Sequence, residues 1–233
     1  KNCDFVLVGK QKKELKDHIQ KKLNKFENKY FYGKEFQVTK SLKNKFEMKV
    51  DGKKFLYTQP SLNGKHQEEN ASISIYFAKV MKKKGYKFNT KEINAAIKKT
   101  VWPGRLEIIN YKNKKIILDG SHNIDGADKL DKFLKIKRIK PVVLFGMLNN
   151  KKVDLFLNKI KKRISKVLAI SIPDEKNSLK TKQIKEICNL NSIKCEQVNN
   201  INEALRYFRS DQGKIYLITG SLYLIGKIRR RLL

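Results

Sequence analysis

The stretch KIILDGSHNIDGADKLDKFLKI, Lys115–Ile136, decides the fold. Its first half is a short apolar run, KIILDGS, of the kind that forms a strand buried on both faces. Its second half, GADKLDKFLKI, carries apolar residues at helical spacing. The same alternation continues to the end of the chain. PVVLFGML, KVLAISI, KCEQV and KIYLITG read as strands, and VDLFLNKIKKR, KTKQIKEICNL, INEALRYFRS and LYLIGKIRRRLL as the helices between and after them. Short apolar strands separated by amphipathic helices predict an α/β domain with a mostly parallel sheet covered on both faces. In such sheets ligands collect beyond the carboxyl ends of the strands. That rule selects Asp119, Gly120, Ser121 and His122 after the first strand, Gly146 and Met147 after the second, and Thr219, Gly220 and Ser221 after the last.

Upstream the pattern is different. CDFVLVG reads as a buried strand, KKELKDHIQKKLNKF as a helix with Leu15, Ile19, Leu23 and Phe26 on one side, and FEMKVDGKKFLYT as two strands joined at Asp51-Gly52. HQEENASISIYFAKVMKKKG predicts a helix whose apolar face is Ile73, Phe77 and Val80 and whose stop is Gly85, and TKEINAAIKKT predicts a second. Pro103-Gly104 is the clearest punctuation, since proline bars continuation of a helix and glycine allows a sharp redirection. The expected domains are therefore 1–104 and 105–233.

Composition narrows the function classes. The 233 residues carry 54 Lys and Arg against 22 Asp and Glu, a net charge of +32, which is the footprint of many nucleic-acid binders. Only eight of those cations are arginine, the residue that phosphate and base recognition favours. The lysines are spread along the whole chain and, with abundant Asn and Ile, suggest an AT-rich coding bias; the expectation is no specific nucleic-acid partner. No apolar run reaches the length of a membrane span and no leader pattern opens the chain, so a cytoplasmic protein without a membrane partner is expected. Cys3, Cys188 and Cys195 lack metal-ligand spacing and read as reduced, partly buried thiols.

Four polar constellations could carry chemistry. His122 can donate a hydrogen bond to phosphate and Asp119 can accept from sugar hydroxyls, although Asp119 and Asn123 could equally cap the next helix. Arg105, in WPGR, offers a planar cation for phosphate oxygens or a surface ion pair. His66, Gln67 and Asn70 open a helix, facing a ligand or capping it. Ser221 is placed as an N-cap, where backbone N–H groups could also hold a carboxylate. The chain contains no GxxxxGK[ST] loop, GxGxxG, HExxH, serine elbow or metal-ligand cluster.

As a set, GKHQEENA, WPGRLE, LDGSHNIDGA, GML and ITGSLYLIG, in this order and spacing, resemble the bifunctional dihydrofolate synthase/folylpolyglutamate synthase family. The resemblance runs over nearly the whole chain. It implies membership of the Mur ligase superfamily: the last part of a P-loop ATPase domain, without its phosphate loop, followed by a complete Rossmann-like glutamate-ligase domain, in an amino-terminally truncated chain. It further implies ATP-dependent addition of L-glutamate to dihydropteroate or to tetrahydrofolate polyglutamates through an acyl phosphate. ATP and Mg would be required, with the metal's ligands upstream of the chain, and the protein would act as a monomer. Position by position, Arg105 resembles the phosphate-contacting arginine and His122 the histidine near the γ-phosphate, the two catalytic candidates. Asp119 resembles the ribose-binding acid, Asn70 the residue on the nucleotide base, and Ser221 part of the glutamate site. Ser121 and Ile124 stand where many relatives carry alanine and proline, and the expected consequence is altered turn stiffness. The remaining alternatives are another Mur-type carboxylate–amino acid ligase, or a non-catalytic basic nucleic-acid-binding protein.

Overall fold

A computed structural model describes residues 3–233. The chain divides into two compact units after Val101.

The carboxy-terminal unit is a six-stranded sheet built from β6 (Glu107–Tyr111), β7 (Lys114–Asp119), β8 (Val142–Phe145), β9 (Lys166–Ala169), β10 (Cys195–Gln197) and β11 (Ile215–Thr219), in the order β10-β9-β8-β11-β7-β6. Every pairing is parallel except β6–β7. Strand β6 was not expected; its alternating exposure, with Ile109 buried and Ile108 open, suits an edge strand, and five residues between a turn and a turn give little periodicity to read.

The expected helices are present: α4 (Ile124–Lys137), α5 (Val153–Ile160), α6 (Thr181–Leu190), α7 (Ile201–Ser210) and α8 (Leu222–Leu232). One core joins Ile117, Val143, Phe145, Val167 and Leu217 to α4, α5 and α6. A second joins Ile116, Leu118, Leu144, Leu168 and Ile218 to α7 and α8 on the other face. Neighbouring positions of each strand thus feed opposite cores, which is why the strands read as continuous apolar runs. The order reverses where β11 slips between β7 and β8, so the carboxyl ends of these three strands are adjacent. Thr219 lies opposite both Asp119 and Phe145.

The amino-terminal unit holds a parallel pair, β1 (Val6–Val8) with β2 (Lys29–Phe31), and an antiparallel sheet of β3 (Phe36–Ser41), β4 (Lys45–Val50) and β5 (Lys53–Thr58). The β4–β5 turn has φ of 44° at Asp51 and 83° at Gly52, the left-handed pair that a two-residue hairpin requires. The helices are α1 (Lys13–Lys22), α2 (His66–Lys83) and α3 (Thr90–Lys99). Asn89 and Glu92 form a reciprocal capping box that starts α3.

Three expectations are corrected here. The inward face of α2 is Ser72, Ile75, Tyr76 and Val80, packed on Phe36, Phe46 and Met48; Phe77 is 47% exposed and Ile73 only partly buried. The heptad-like triplet 73, 77, 80 was a single stripe, whereas the helix meets the sheet through the neighbouring one, where Tyr76 stacks on Phe36 at 4.8 Å. Helix α1 buries none of its residues, and Leu15 is half exposed. Cys3 is exposed, unlike Cys188 and Cys195.

Candidate functional site

At the carboxyl ends of β7, β11 and β8 the backbone is cross-tied. Gly220 N–H donates to Ser121 O at 3.2 Å, and Gly146 N–H to Thr219 O at 3.4 Å. The turn that precedes β6 joins this edge: Gly120 N–H donates to Gly104 O at 2.7 Å. The junction is close: a Cβ on Gly120 would sit 2.1 Å from the Leu222 side chain, and Gly104, whose φ of 71° favours glycine, would place one 2.8 Å from Ile225. The segments 103–106 and 119–122 are therefore held against each other, and they carry Arg105, Asp119 and His122.

Asp119 is 4% exposed. Its Oδ2 accepts from Leu106 N–H at 3.1 Å and its Oδ1 from Ser121 N–H at 3.2 Å. Burial pushes its carboxyl above the usual range, opposed by bonds from the Ser121 hydroxyl and the two backbone N–H groups and by the nearby Arg105 cation. Asp119 is thus not a cap of α4; that role belongs to Asn123, whose Oδ1 accepts from Gly126 N–H at 2.8 Å. The Ser121 hydroxyl, which stands where many relatives are expected to carry alanine, also bonds to Asp119.

His122 is half-buried, with Nδ1 2.9 Å from Gly120 O. A carbonyl only accepts, so Nδ1 carries the proton and Nε2 is the atom left for a ligand. It can accept as neutral imidazole or donate to an anion as imidazolium. Arg105 is exposed and makes no hydrogen bond or ion pair among the described residues; only its backbone is engaged, so its guanidinium is available. Ser221 is 3% exposed and caps α8, its Oγ accepting from Tyr223 N–H at 3.1 Å.

Two charged residues near the turn, Glu107 and Arg229, carry no local sequence signal. Glu107 accepts Gly104 N–H at 2.8 Å and receives both its oxygens' bonds from Arg229 Nε, 3.0 Å each. The pair is separated by 122 positions, so no local pattern announces it. Burial alone would raise the Glu107 carboxyl, but the Arg229 fork and Gly104 N–H outweigh it and hold it below its ordinary value of 4.5. A depressed carboxyl stabilises the fold above its unfolded value, and that contribution disappears as pH falls through the lower folded value. Urea unfolding of Glu107→Gln should therefore lack part of the stability loss that the wild type shows below about pH 4.5. Parallel pH profiles for the two proteins would contradict this.

In the amino-terminal unit, Asn70 Nδ2 donates to Gln67 Oε1 at 2.9 Å, and Gln67 Nε2 lies 3.1 Å from His66 Nε2. None of them caps α2, whose N-cap position, Lys65, has no side-chain cap. Asn70 and Gln67 instead border an apolar cleft of about 250 Å³ between α2 and α3, lined by Ala71, Ser74, Ile93 and Ile97 among others. Glu68 is turned inward and structural, accepting from Ser41 and Gln59. Among the described residues no group of three His, Cys, Asp or Glu could hold a metal, and no helix is long and apolar enough to cross a membrane.

A parallel sheet with helices on both faces, a strand-order reversal and a polar edge at that reversal define an α/β ligand-binding domain. Residues 105–231 match the model of the dihydrofolate synthetase C-terminal domain, and the chain belongs to that family. Dihydrofolate synthase/folylpolyglutamate synthase of Bacillus subtilis is 28% identical over 192 residues, 80% of this chain and 44% of the relative. The folylpolyglutamate synthase of Thermotoga maritima shares the fold with a TM-score of 0.75 and 26% identity, over 98% of this chain and 54% of that one. That of Mycobacterium tuberculosis, solved with ADP and AMPPCP, superposes with a TM-score of 0.82 at 20% identity, over 97% and 54%. The chain thus spans about half the length of the proteins it matches.

Proposed function

We propose that the chain is part of an ATP-dependent ligase that adds L-glutamate to dihydropteroate or to tetrahydrofolate polyglutamates. Residues 105–233 form its glutamate-ligase domain and residues 1–104 the last part of its ATPase domain. The observation that carries this reading is the pairing of an uncommitted guanidinium, Arg105, with the open Nε2 of His122 and the buried Asp119 on two cross-tied turns, in a chain of this family.

The chemistry activates a carboxylate by phosphoryl transfer, and the amine of glutamate then displaces phosphate from the acyl phosphate. Its obstacle is the meeting of anions, so fixed positive charge and positioning supply most of the rate. Arg105 can grip phosphate oxygens with two parallel N–H groups, and His122 Nε2 can donate to another as imidazolium. After accepting two backbone N–H groups and the Ser121 hydroxyl, the Asp119 carboxylate keeps one of its roughly four acceptor sites, enough for a ribose hydroxyl. The Ser221 hydroxyl proton stays available to a glutamate carboxylate, since Oγ is used only as acceptor by Tyr223 N–H. In the first unit, Asn70 borders a cleft whose apolar walls suit the flat face of a nucleotide base. A divalent metal, as in the Yersinia pestis synthase solved with AMPPNP and manganese, would shield phosphate charge; the described residues offer it no ligand cluster, and Mg is assigned to none of them. The reading includes a cytoplasmic monomer with small-molecule substrates and no nucleic-acid partner.

The test is ADP release by the full-length protein, phosphate-loop segment included, since the present chain alone is expected to be inactive. It should require both L-glutamate and a pteroate or folate acceptor, with a product heavier by one glutamyl unit. ATP turnover that responds to another amino acid and not to glutamate would assign a different ligase, and none at all would reject the ligase reading.

A further inference from the structure

We infer that the Glu107–Arg229 pair is a positioning device for Arg105, through which helix α8 fixes the turn that presents the guanidinium. The inference rests on the proposed role of Arg105 at phosphate.

The turn's own backbone bond is a long one, from Arg105 N–H to Trp102 O at 3.3 Å. Gly104 has φ of 71° and Leu106 φ of 50°, so Arg105 is bracketed by two left-handed residues, one of them a bulky leucine for which that region is strained. Among the described residues the Arg105 side chain makes no hydrogen bond or ion pair, so its placement depends on the backbone on either side. Three contacts supply this. Asp119 holds Leu106 N–H, Gly120 N–H holds Gly104 O, and Glu107 Oε2 holds Gly104 N–H at 2.8 Å.

Glu107 could swing away if it were alone on edge strand β6. Arg229 prevents that: its Nε meets both carboxylate oxygens at 3.0 Å, and its terminal nitrogen meets Oε1 at 2.9 Å, with the two side chains 30% and 17% exposed. A forked donor fixes the plane of the carboxylate, which a lysine ammonium cannot do. In a chain with only eight arginines among 54 cations, an arginine at this position is informative. The same helix begins at Ser221, and its Leu222 lies over Gly104 and Gly120. Helix α8 therefore touches both ends of the site, directly at its amino end and through Arg229 near its carboxyl end.

The experiment compares Glu107→Gln, Arg229→Lys and Arg105→Ala, singly and with Glu107→Gln combined with Arg105→Ala. Glu107→Gln should lower kcat/KM by about 30-fold, the scale of a slightly misplaced catalytic group, and Arg229→Lys should act in the same direction less strongly. The decisive readout is the double variant: once Arg105 is gone its positioning device has nothing to position, so the combined loss should equal that of Arg105→Ala alone. Amide exchange at Gly104 should quicken at least about tenfold in Glu107→Gln and in Arg229→Lys, with β8 and β9 amides unchanged. Multiplicative losses in the double variant, or unaltered exchange at Gly104 in both single variants, would overturn the inference. Faster Gly104 exchange in the two variants of a protein that ligates no glutamate would instead overturn the functional reading and leave the coupling of α8 to the turn standing.

Discussion

Replacing Gly220 by alanine should cost the carboxy-terminal unit about 3 kcal/mol or more, the sum of left-handed strain and overpacking. Its φ is 106°, a region that L side chains rarely adopt, and an added Cβ would fall 2.5 Å from Gly146 O and 3.0 Å from the Phe145 ring. Neither neighbour can give way. Gly146 is itself so close to the next strand that a Cβ there would meet Ile170 O at 2.8 Å, and Phe145 is fully buried. The two glycines allow β11 and β8 to converge where the backbone leaves the sheet, so the substitution pries apart the edge on which Ser121 and Ser221 sit. Gly226, on the open side of α8 with nothing within 4 Å of its Cβ position, is the control. Alanine there should stabilise by about 0.5–1 kcal/mol through reduced unfolded-state entropy. Urea unfolding of both variants checks the pair; a Gly220→Ala loss no larger than about 1 kcal/mol would show that the strand ends are looser than described.

Arg105→Ala and His122→Ala should each lower kcat by about 100-fold or more, near 3 kcal/mol of transition-state stabilisation, the scale for one preorganised donor. Stability should change little for Arg105→Ala, because that side chain is exposed and, among the described residues, makes no hydrogen bond or ion pair, acting on Asp119 only through its charge. His122→Ala gives up one bond to Gly120 O, an interaction worth only about 1 kcal/mol. The two substitutions therefore separate chemistry from folding. Steady-state kinetics beside unfolding curves makes the measurement, and wild-type turnover in either variant would remove that residue from the proposed site.

Much of the architecture was legible because the second unit alternates strand and helix without interruption. Strands β7, β8, β9 and β11 are apolar on both faces, a pattern that points to helices on either side, and the switch-point rule singles out the residues after Asp119 and Thr219. What escaped reading has physical causes. The strands Lys29–Phe31, Phe36–Ser41 and Glu107–Tyr111 are short, and two of the three carry mixed exposure that dilutes a period of two. The inward face of the helix at His66–Lys83 was misjudged because Ile73, Ile75, Tyr76, Phe77 and Val80 fill more than one stripe, and only the facing Phe36 and Met48 select between them.

The site divides in the same manner. Asn123 and Ser221 behave as their local sequence dictates, since an N-cap requires only a short polar side chain two or three residues before an N–H. Asp119 does not: its identity and position are evident, but besides Ser121 its carboxylate is held by the N–H of Leu106, 13 residues away. Glu107 and Arg229 lie further apart still, and no spacing in the sequence connects them.

By itself, then, the order of residues determined the periodicities, the caps, the hairpin and the strand ends where polar groups emerge, all of which depend on neighbours within a few positions. Only the tertiary structure decided which carboxylate is buried, which guanidinium is paired and which is left open. Those outcomes depend on what distant segments place beside each charge once water has been excluded.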